Sequence, residues 1–260
     1  MEKITGKNND LIKSVKKLLS SSKERRVNNS FVLEGARLVF DALHSLCRVK
    51  CFLVTEGAYD KYRTQCDEII QLAEKSYLIS DEVSAKLSET ENAQGVFAVF
   101  EMEEKPIDFK SNGKYIALDN VQDPGNLGTI LRTAEALGIN GIIIGGGCDL
   151  YNPKVLRATM GAVFRVNTLR CSNAADILSD LKEQGFKIYA TSPDSSAKPI
   201  TDVDFSKGCI CVIGNEANGI SKSVAALADD LVTIKMLGRA ESLNASVAAS
   251  ITMWEMLRNE

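Results

Sequence analysis

The 260-residue sequence predicts an α/β protein in two parts. Three observations carry this. Apolar runs such as Ile142-Ile143-Ile144 and Cys211-Val212-Ile213 do not alternate with polar residues, as expected of parallel strands covered on both faces. Such runs take turns along the chain with segments whose apolar residues recur at helical spacing. A polar stretch at about 101–114, with Pro106 and Gly113, reads as a linker between a domain of residues 1–104 and one of residues 105–260.

In the first part, Leu11, Val15, Leu18 and Leu19 fall at i, i+4, i+7 and i+8. They predict an amphipathic helix over 9–20, capped by Asn9 or Asp10, with Lys13, Lys16 and Lys17 facing water. Residues 20–22, all serine, end it. Phe31-Val32-Leu33 reads as a short buried strand, and Glu34-Gly35 opens a helix through Leu46. Residues 49–55 form a second strand. A second amphipathic helix covers 60–75, with Ile69, Ile70 and Leu72 inward, and further strands fall at 76–79 and 95–100. This is a small α/β domain. In the second part, strands are expected at 115–120, 140–145, 187–192, 209–214 and 231–236. Helices are expected at 126–137, 153–162, 173–184, 221–228 and 244–258. The second domain thus has a mostly parallel sheet.

Composition narrows the function classes. Apolar residues make up 45% and charged residues 25%, a globular mix rather than a disordered one. No apolar run is long enough to cross a bilayer, and nothing after Met1 resembles a signal peptide, so a cytoplasmic protein without a membrane partner is expected. The seven cysteines (47, 51, 66, 148, 171, 209 and 211) contain no C-x-x-C pair, and Cys209 and Cys211, flanking Ile210 in an apolar run, read as buried thiols. His44 is the only histidine, so no zinc site, no other metal site and no Ser-His-Asp triad is expected. The net charge of −3 hides an asymmetry: residues 1–50 hold eleven Lys/Arg against five acids. A basic amino-terminal face on an acidic protein suits a polyanion, although a solvated helix face would look the same.

Three loops follow strands in the second part, where open parallel sheets bind ligands. The first is Asp119-Asn120-Val121-Gln122-Asp123-Pro124-Gly125-Asn126, leading into a helix with Asn126 as its expected cap and Arg132 off its buried stripe. The second is Ile213-Gly214-Asn215-Glu216-Ala217-Asn218-Gly219-Ile220-Ser221, in which Gly214 and Gly219 let backbone approach a ligand, or serve only the turn. The third runs from Ile234 through Met236, Gly238, Ser242 and Leu243 to Asn244 and Ser246, with Ser242 and Asn244 placed to cap the last helix. Small residues at 245, 246, 248, 249 and 250 allow another backbone, such as a second subunit, to come close. Gly145-Gly146-Gly147 also follows a strand, but G-x-G-x-x-G is absent there, which disfavours a nicotinamide dehydrogenase.

Together the three loops resemble the three sequence motifs of the SpoU (TrmH-type) branch of the SPOUT RNA methyltransferases. The matches are Asn120, Asp123-Pro124, Asn126, Gly128 and Arg132-Thr133; then Ile213-Gly214-Asn215-Glu216, Gly219 and Ser221; then Met236, Gly238, Ser242-Leu243-Asn244 and Ser246. Arg25-Arg26, Phe31-Val32-Leu33-Glu34-Gly35 and Arg37 are similar to the ribosomal-protein-like substrate-binding domain attached to many of these enzymes. The chain departs from the family's usual pattern at Lys235 and Ala245, where proline and valine are common.

The resemblance implies a carboxyl-terminal domain closed by a deep trefoil knot, a homodimer, and methyl transfer from S-adenosylmethionine to a ribose 2′-hydroxyl of RNA. Ribosomal RNA is favoured by the two-domain layout; a tRNA enzyme, or an RNA-binding assembly protein with a vestigial cofactor site, is the alternative. By the same resemblance, Thr191, Ile213, Gly214, Asn215, Glu216, Gly219, Ile234, Met236, Ser242, Leu243, Asn244 and Ser246 surround the cofactor. Arg132, Asn126, Ser242 and Asn244 serve catalysis. The family gives Arg132 the role of base. Arginine normally keeps its proton, so an RNA phosphate could take the proton while Arg132 orients the hydroxyl. Arg25, Arg26 and Arg37 are expected to grip RNA.

Overall fold

The computed structural model describes residues 1–45, 47–89, 93–103, 106–194 and 196–258. Its chain divides into two compact units, Met1–Glu103 with Asp149–Phe164, and Glu104–Cys148 with Arg165–Glu260. The sequence boundary near 104 misses the excursion of 149–164 into the first unit.

The first unit runs β1 (Glu2–Ile4), α1 (Asp10–Ser20), α2 (Ser22–Val27), β2 (Ser30–Glu34), α3 (Ala36–Asp41), β3 (Val49–Thr55), α4 (Glu56–Lys61), α5 (Arg63–Leu72), β4 (Lys75–Ile79), α6 (Asp81–Leu87) and β5 (Val96–Glu101). Among the described residues the strands form one mixed sheet in the order β1-β4-β3-β5-β2. Asn9 caps α1, whose Ile12, Val15, Leu18 and Leu19 pack on Val32, Leu53 and Phe97. The expected helix over 60–75 is two helices that meet at Tyr62, and the one expected from Gly35 to Leu46 shortens to α3 and a turn of 3₁₀ helix; Leu46 itself lies outside the described residues. On the strand β2, Phe31 stacks on Tyr151 (centroids 4.6 Å apart) and on Phe100 (5.7 Å). Tyr151 belongs to the excursion, whose aromatic side chains thus complete a core that begins 120 residues earlier.

The second unit and the excursion continue with β6 (Lys114–Asp119), α7 (Pro124–Leu137), β7 (Gly141–Gly145), α8 (Pro153–Thr159, in the excursion), β8 (Thr168–Cys171), α9 (Ala174–Glu183), β9 (Lys187–Thr191), β10 (Lys198–Pro199), β11 (Cys209–Ile213), α10 (Lys222–Leu227), β12 (Asp230–Thr233) and α11 (Ala245–Leu257). The described strands form one sheet, β10-β12-β9-β11-β6-β7-β8, with every pair parallel. Tyr115, Ala117, Ile143, Ile188, Ile210 and Val212 point to the face packed by α9 and α10. Ile116, Leu118 and Ile142 alternate with them and are equally buried, on the side where α7 and α11 pack against each other and the sheet. Linker character is confined to a few residues, because Ile107 and Phe109 already join the second unit's core. Cys209 and Cys211 are buried. Among the described residues no helix is long and apolar enough to cross a membrane.

Candidate active site

Asp119 ends β6, and Asn120 follows in a left-handed conformation (φ 61°) that turns the chain out of the sheet. Asp123 Oδ1 then accepts from the Asn126 amide at 2.8 Å, which makes Asp123, not Asn126, the cap of α7. Pro124 can occupy the first helical position because its missing N–H would have had no helical partner there. The helix therefore starts earlier than expected, and the Asn126 side chain is released for other bonds.

Those bonds join all three loops. Asn126 Nδ2 donates to Glu216 Oε1 at 2.9 Å, and Asn126 Oδ1 accepts from Asn244 Nδ2, also at 2.9 Å. Asn244 Oδ1 accepts from the Ser246 hydroxyl at 2.7 Å and from the amides of Ser246 (2.9 Å) and Val247 (3.3 Å), capping α11. The direction of each bond is forced from one end. An ionised Glu216 only accepts, so Asn126 turns its NH₂ toward it and its oxygen toward Asn244. Asn244 must then present its own NH₂, leaving its oxygen for the cap. Glu216 also accepts from the amides of Gln122 (3.2 Å) and Asp123 (3.1 Å). Burial alone pushes its carboxyl up; the bonds from Asn126 and from these amides outweigh burial and hold it below the ordinary 4.5.

The second loop folds back on itself. The Asn215 and Gly219 backbones pair at 2.9 Å in both directions, and Asn215 Oδ1 accepts from the amides of Ala217 and Asn218. Asn215 Nδ2 ties the loop to Asn120 O at 2.9 Å. A Cβ on Gly214 would lie 2.3 Å from the Gly219 carbonyl carbon and 2.6 Å from the Ile220 nitrogen. The turn itself thus demands glycine at 214, so Gly214→Val breaks the loop before it reports on any ligand.

The remaining expected positions cluster less tightly. Thr191, at the end of β9, donates its hydroxyl to Val212 O at 2.9 Å. Ile234 and Met236 are half-buried on the segment after β12, which ends short of the expected 236. Ser242 and Leu243 are exposed. Thr191, Ile213 and Ile234 stand at or just beyond the carboxyl ends of β9, β11 and β12, neighbours in the sheet. Arg132 is exposed on α7 and makes no hydrogen bond or ion pair with a described residue. Among the described residues, no group of His, Cys, Asp or Glu could hold a metal.

In the first unit the arginines separate. Arg25 is 3% exposed; its Nη2 pairs with Asp149 Oδ2 at 2.6 Å, its Nε donates to the same oxygen at 2.8 Å, and its Nη1 donates to Leu18 O and Leu19 O. All three nitrogens are spent inside the unit, so Arg25 is an anchor for the excursion and not an RNA contact. Arg26 and Arg37 are exposed and unpaired with any described residue; Arg37 does not join Glu34. Sequence reasoning also passed over Asp119, which is buried and accepts from the Ser221 amide at 2.6 Å. Its signal was an acid closing the otherwise apolar strand Tyr115-Ile116-Ala117-Leu118.

Residues 113–254 match the SpoU rRNA Methylase family, and residues 9–98 match the MRM3-like substrate binding domain. The chain is 34% identical over 257 residues to the 23S rRNA (guanosine(2553)-2'-O)-methyltransferase RlmP of Bacillus subtilis, covering 98% of this chain and 99% of that one. An AdoMet-bound rRNA methyltransferase from Sinorhizobium meliloti is similar at a TM-score of 0.89 and 30% identity, over 99% of this chain and 98% of that one. The SpoU methyltransferase AviRb from Streptomyces viridochromogenes, in complex with AdoMet, aligns at a TM-score of 0.85 and 26% identity, over 97% and 98%.

Proposed function

The chain belongs to the SpoU rRNA methylase family, and we propose from that membership how its own residues carry the reaction. It is an S-adenosylmethionine-dependent enzyme that methylates a ribose 2′-hydroxyl of ribosomal RNA. The observation that carries the assignment of the site is the line Glu216–Asn126–Asn244–Ser246, which binds one loop to the next and fixes the start of α7, the helix on which Arg132 is exposed.

The cofactor fits the carboxyl ends of β9, β11 and β12, where backbone of three neighbouring strands is offered beside Thr191, the 213–219 turn and the half-buried Ile234 and Met236. When bound, S-adenosylmethionine supplies a methyl group on a sulfonium. The chain's residues do the rest. Arg132 orients the 2′-hydroxyl and stabilises negative charge on its oxygen, and the proton leaves to an RNA phosphate, because a guanidinium keeps its own protons. The new bond joins the 2′-oxygen to the methyl carbon as the sulfur–carbon bond breaks. Asn126 and Asn244 fix the loops around the ribose, and Ser242, exposed beside them, contacts it.

The homodimer is part of the proposal. Val247, Ile251 and Trp254 are 46%, 37% and 61% exposed at helical spacing, and Leu243, just before the helix, is 37% exposed, so α11 and the residue leading into it present an apolar stripe that a second copy would cover. The trefoil knot belongs to it too: after the loop beyond β12, α11 returns against α7 and β11. Arg26, Arg37, Lys17 and Lys23 are exposed cations of the first unit that would contact RNA phosphates, and the enzyme works in the cytoplasm.

Two measurements test this. Isothermal titration with S-adenosylmethionine and with S-adenosylhomocysteine, in the presence of a chelator, is expected to give saturable binding. Mapping of 2′-O-methyl groups in RNA from cells with and without the gene is expected to lose one site in ribosomal RNA. Loss of a tRNA site instead, or binding of RNA with no lost methyl group, overturns the reading.

A further inference from the structure

We infer that Asp119 is a positioning residue for the cofactor loop, holding its far end so that the 213–221 turn keeps its shape. The inference rests on the cofactor reading above.

The loop is pinned at three places. Asn215 bonds Asn120 O at its start, and Glu216 bonds the 122–126 segment in its middle. At its end, Ser221 N donates to Asp119 Oδ2 at 2.6 Å. Ser221 is also the cap of α10, its hydroxyl accepting from Val224 N. Asp119 thus fixes the point where the loop becomes a helix, and it does so from β6, a central strand of the sheet. Asp119 is 7% exposed. Keeping a carboxylate there costs desolvation, which a charge-assisted bond to a backbone amide offsets. Gly219 and Ile220 immediately precede Ser221, and their backbone lies against Gly214 so closely that no Cβ fits. A shift of Ser221 by a few tenths of an ångström therefore moves the backbone against which Gly214 is set. The Asp119 side chain reaches the cofactor positions only through that backbone, so its effect belongs to binding and not to the methyl-transfer step.

The test compares Asp119→Asn and Asp119→Ala with the wild type in the full-length protein. Titration with S-adenosylmethionine gives the affinity; transfer to transcribed 23S ribosomal RNA gives kcat and the KM for the methyl donor. Asparagine keeps an acceptor but loses the charge. Its Kd and KM are expected to rise about 3- to 10-fold, and those of alanine more than about 10-fold, the scale of one charge-assisted hydrogen bond. At saturating donor, kcat is expected to stay within about 3-fold of wild type for both. A folded Asp119→Asn enzyme with wild-type affinity overturns the inference, whether or not Asp119→Ala folds. So does a fall in kcat with KM unchanged. If the wild type itself fails to bind S-adenosylmethionine, the failure lies with the cofactor reading instead.

Discussion

Asn244 Nδ2 donates to Asn126 Oδ1 at 2.9 Å, across 118 residues of sequence. One asparagine here holds two duties. Its oxygen caps α11, and its NH₂ reaches the helix that carries Arg132. Asn244→Asp separates them: an aspartate still caps, but it has no NH₂ and sets an oxygen against Asn126 Oδ1. Stability is expected to fall by roughly 1–3 kcal/mol, the scale of leaving the buried Asn126 oxygen unpaired, while turnover drops at least about 10-fold. Differential scanning calorimetry and a methyl-transfer assay on ribosomal RNA check this. Wild-type turnover in the aspartate variant would show the link to be dispensable.

Arg132 is the cation of α7, exposed and unpaired with any described residue. Arg132→Ala is expected to lower methyl transfer by at least ~100-fold, with cofactor affinity little changed. Single-turnover rates and titration of the variant measure the two separately, and near-normal turnover would remove Arg132 from the reaction.

The adjacent pair Arg25 and Arg26 is expected to behave oppositely. Arg25→Ala removes the bonds that Arg25 gives to Asp149, Leu18 O and Leu19 O inside the unit, and is expected to cost roughly 1–3 kcal/mol of stability. Arg26→Ala with Arg37→Ala is expected to leave stability unchanged and to weaken RNA binding. The logarithmic salt dependence should flatten by about one unit for each phosphate that an arginine no longer neutralises. Denaturant unfolding and binding titrations across salt concentrations distinguish them. An unchanged salt slope would leave both arginines as ordinary surface.

Trp254→Glu places a charge at the carboxyl-terminal end of the exposed apolar stripe of α11, on its most exposed member. The variant is expected to sediment as a monomer and lose activity while remaining folded by circular dichroism. A monomeric wild type in analytical ultracentrifugation would refute the dimer.

Glu216 has a folded pKa below its ordinary value of 4.5, so its bonds add stability that is fully present above that value and disappears as pH falls through the depressed one. Acid titration below about pH 4.5 is expected to loosen the 214–221 loop in the wild type. Glu216→Gln is expected to lack that step, as followed by amide exchange of Gln122 and Asp123. Identical acid profiles for the two proteins would count against it.

Much of this was open to reading from the residues alone. The unbroken apolar runs at 142–144 and 211–213 determined parallel, doubly covered strands, because a strand buried on both faces has no place for alternating polar groups. The order of Asn126, Arg132, Glu216, Ser242 and Asn244 carried a resemblance to the family, and the match over residues 113–254 shows it. Local patterns did not separate Arg25 from Arg26, because the direction of each side chain depends on Leu18, Leu19 and Asp149, contributed by a neighbouring helix and a distant segment. Nor did they assign 149–164 to the first unit: Tyr151 finds its aromatic partner in Phe31 only after the chain has folded. The short elements β1, α2, α6, β8 and β10 carry too few residues for periodicity to register, and pairing or packing with longer neighbours makes them. By local pattern Asn126 is a cap, and Gly214 is either room for a ligand or a residue of the turn. The tertiary structure gave the cap to Asp123 and filled the space at Gly214 with the backbone of Gly219 and Ile220, because hydrogen bonds and close approaches between loops far apart in sequence are decided by which strands lie side by side.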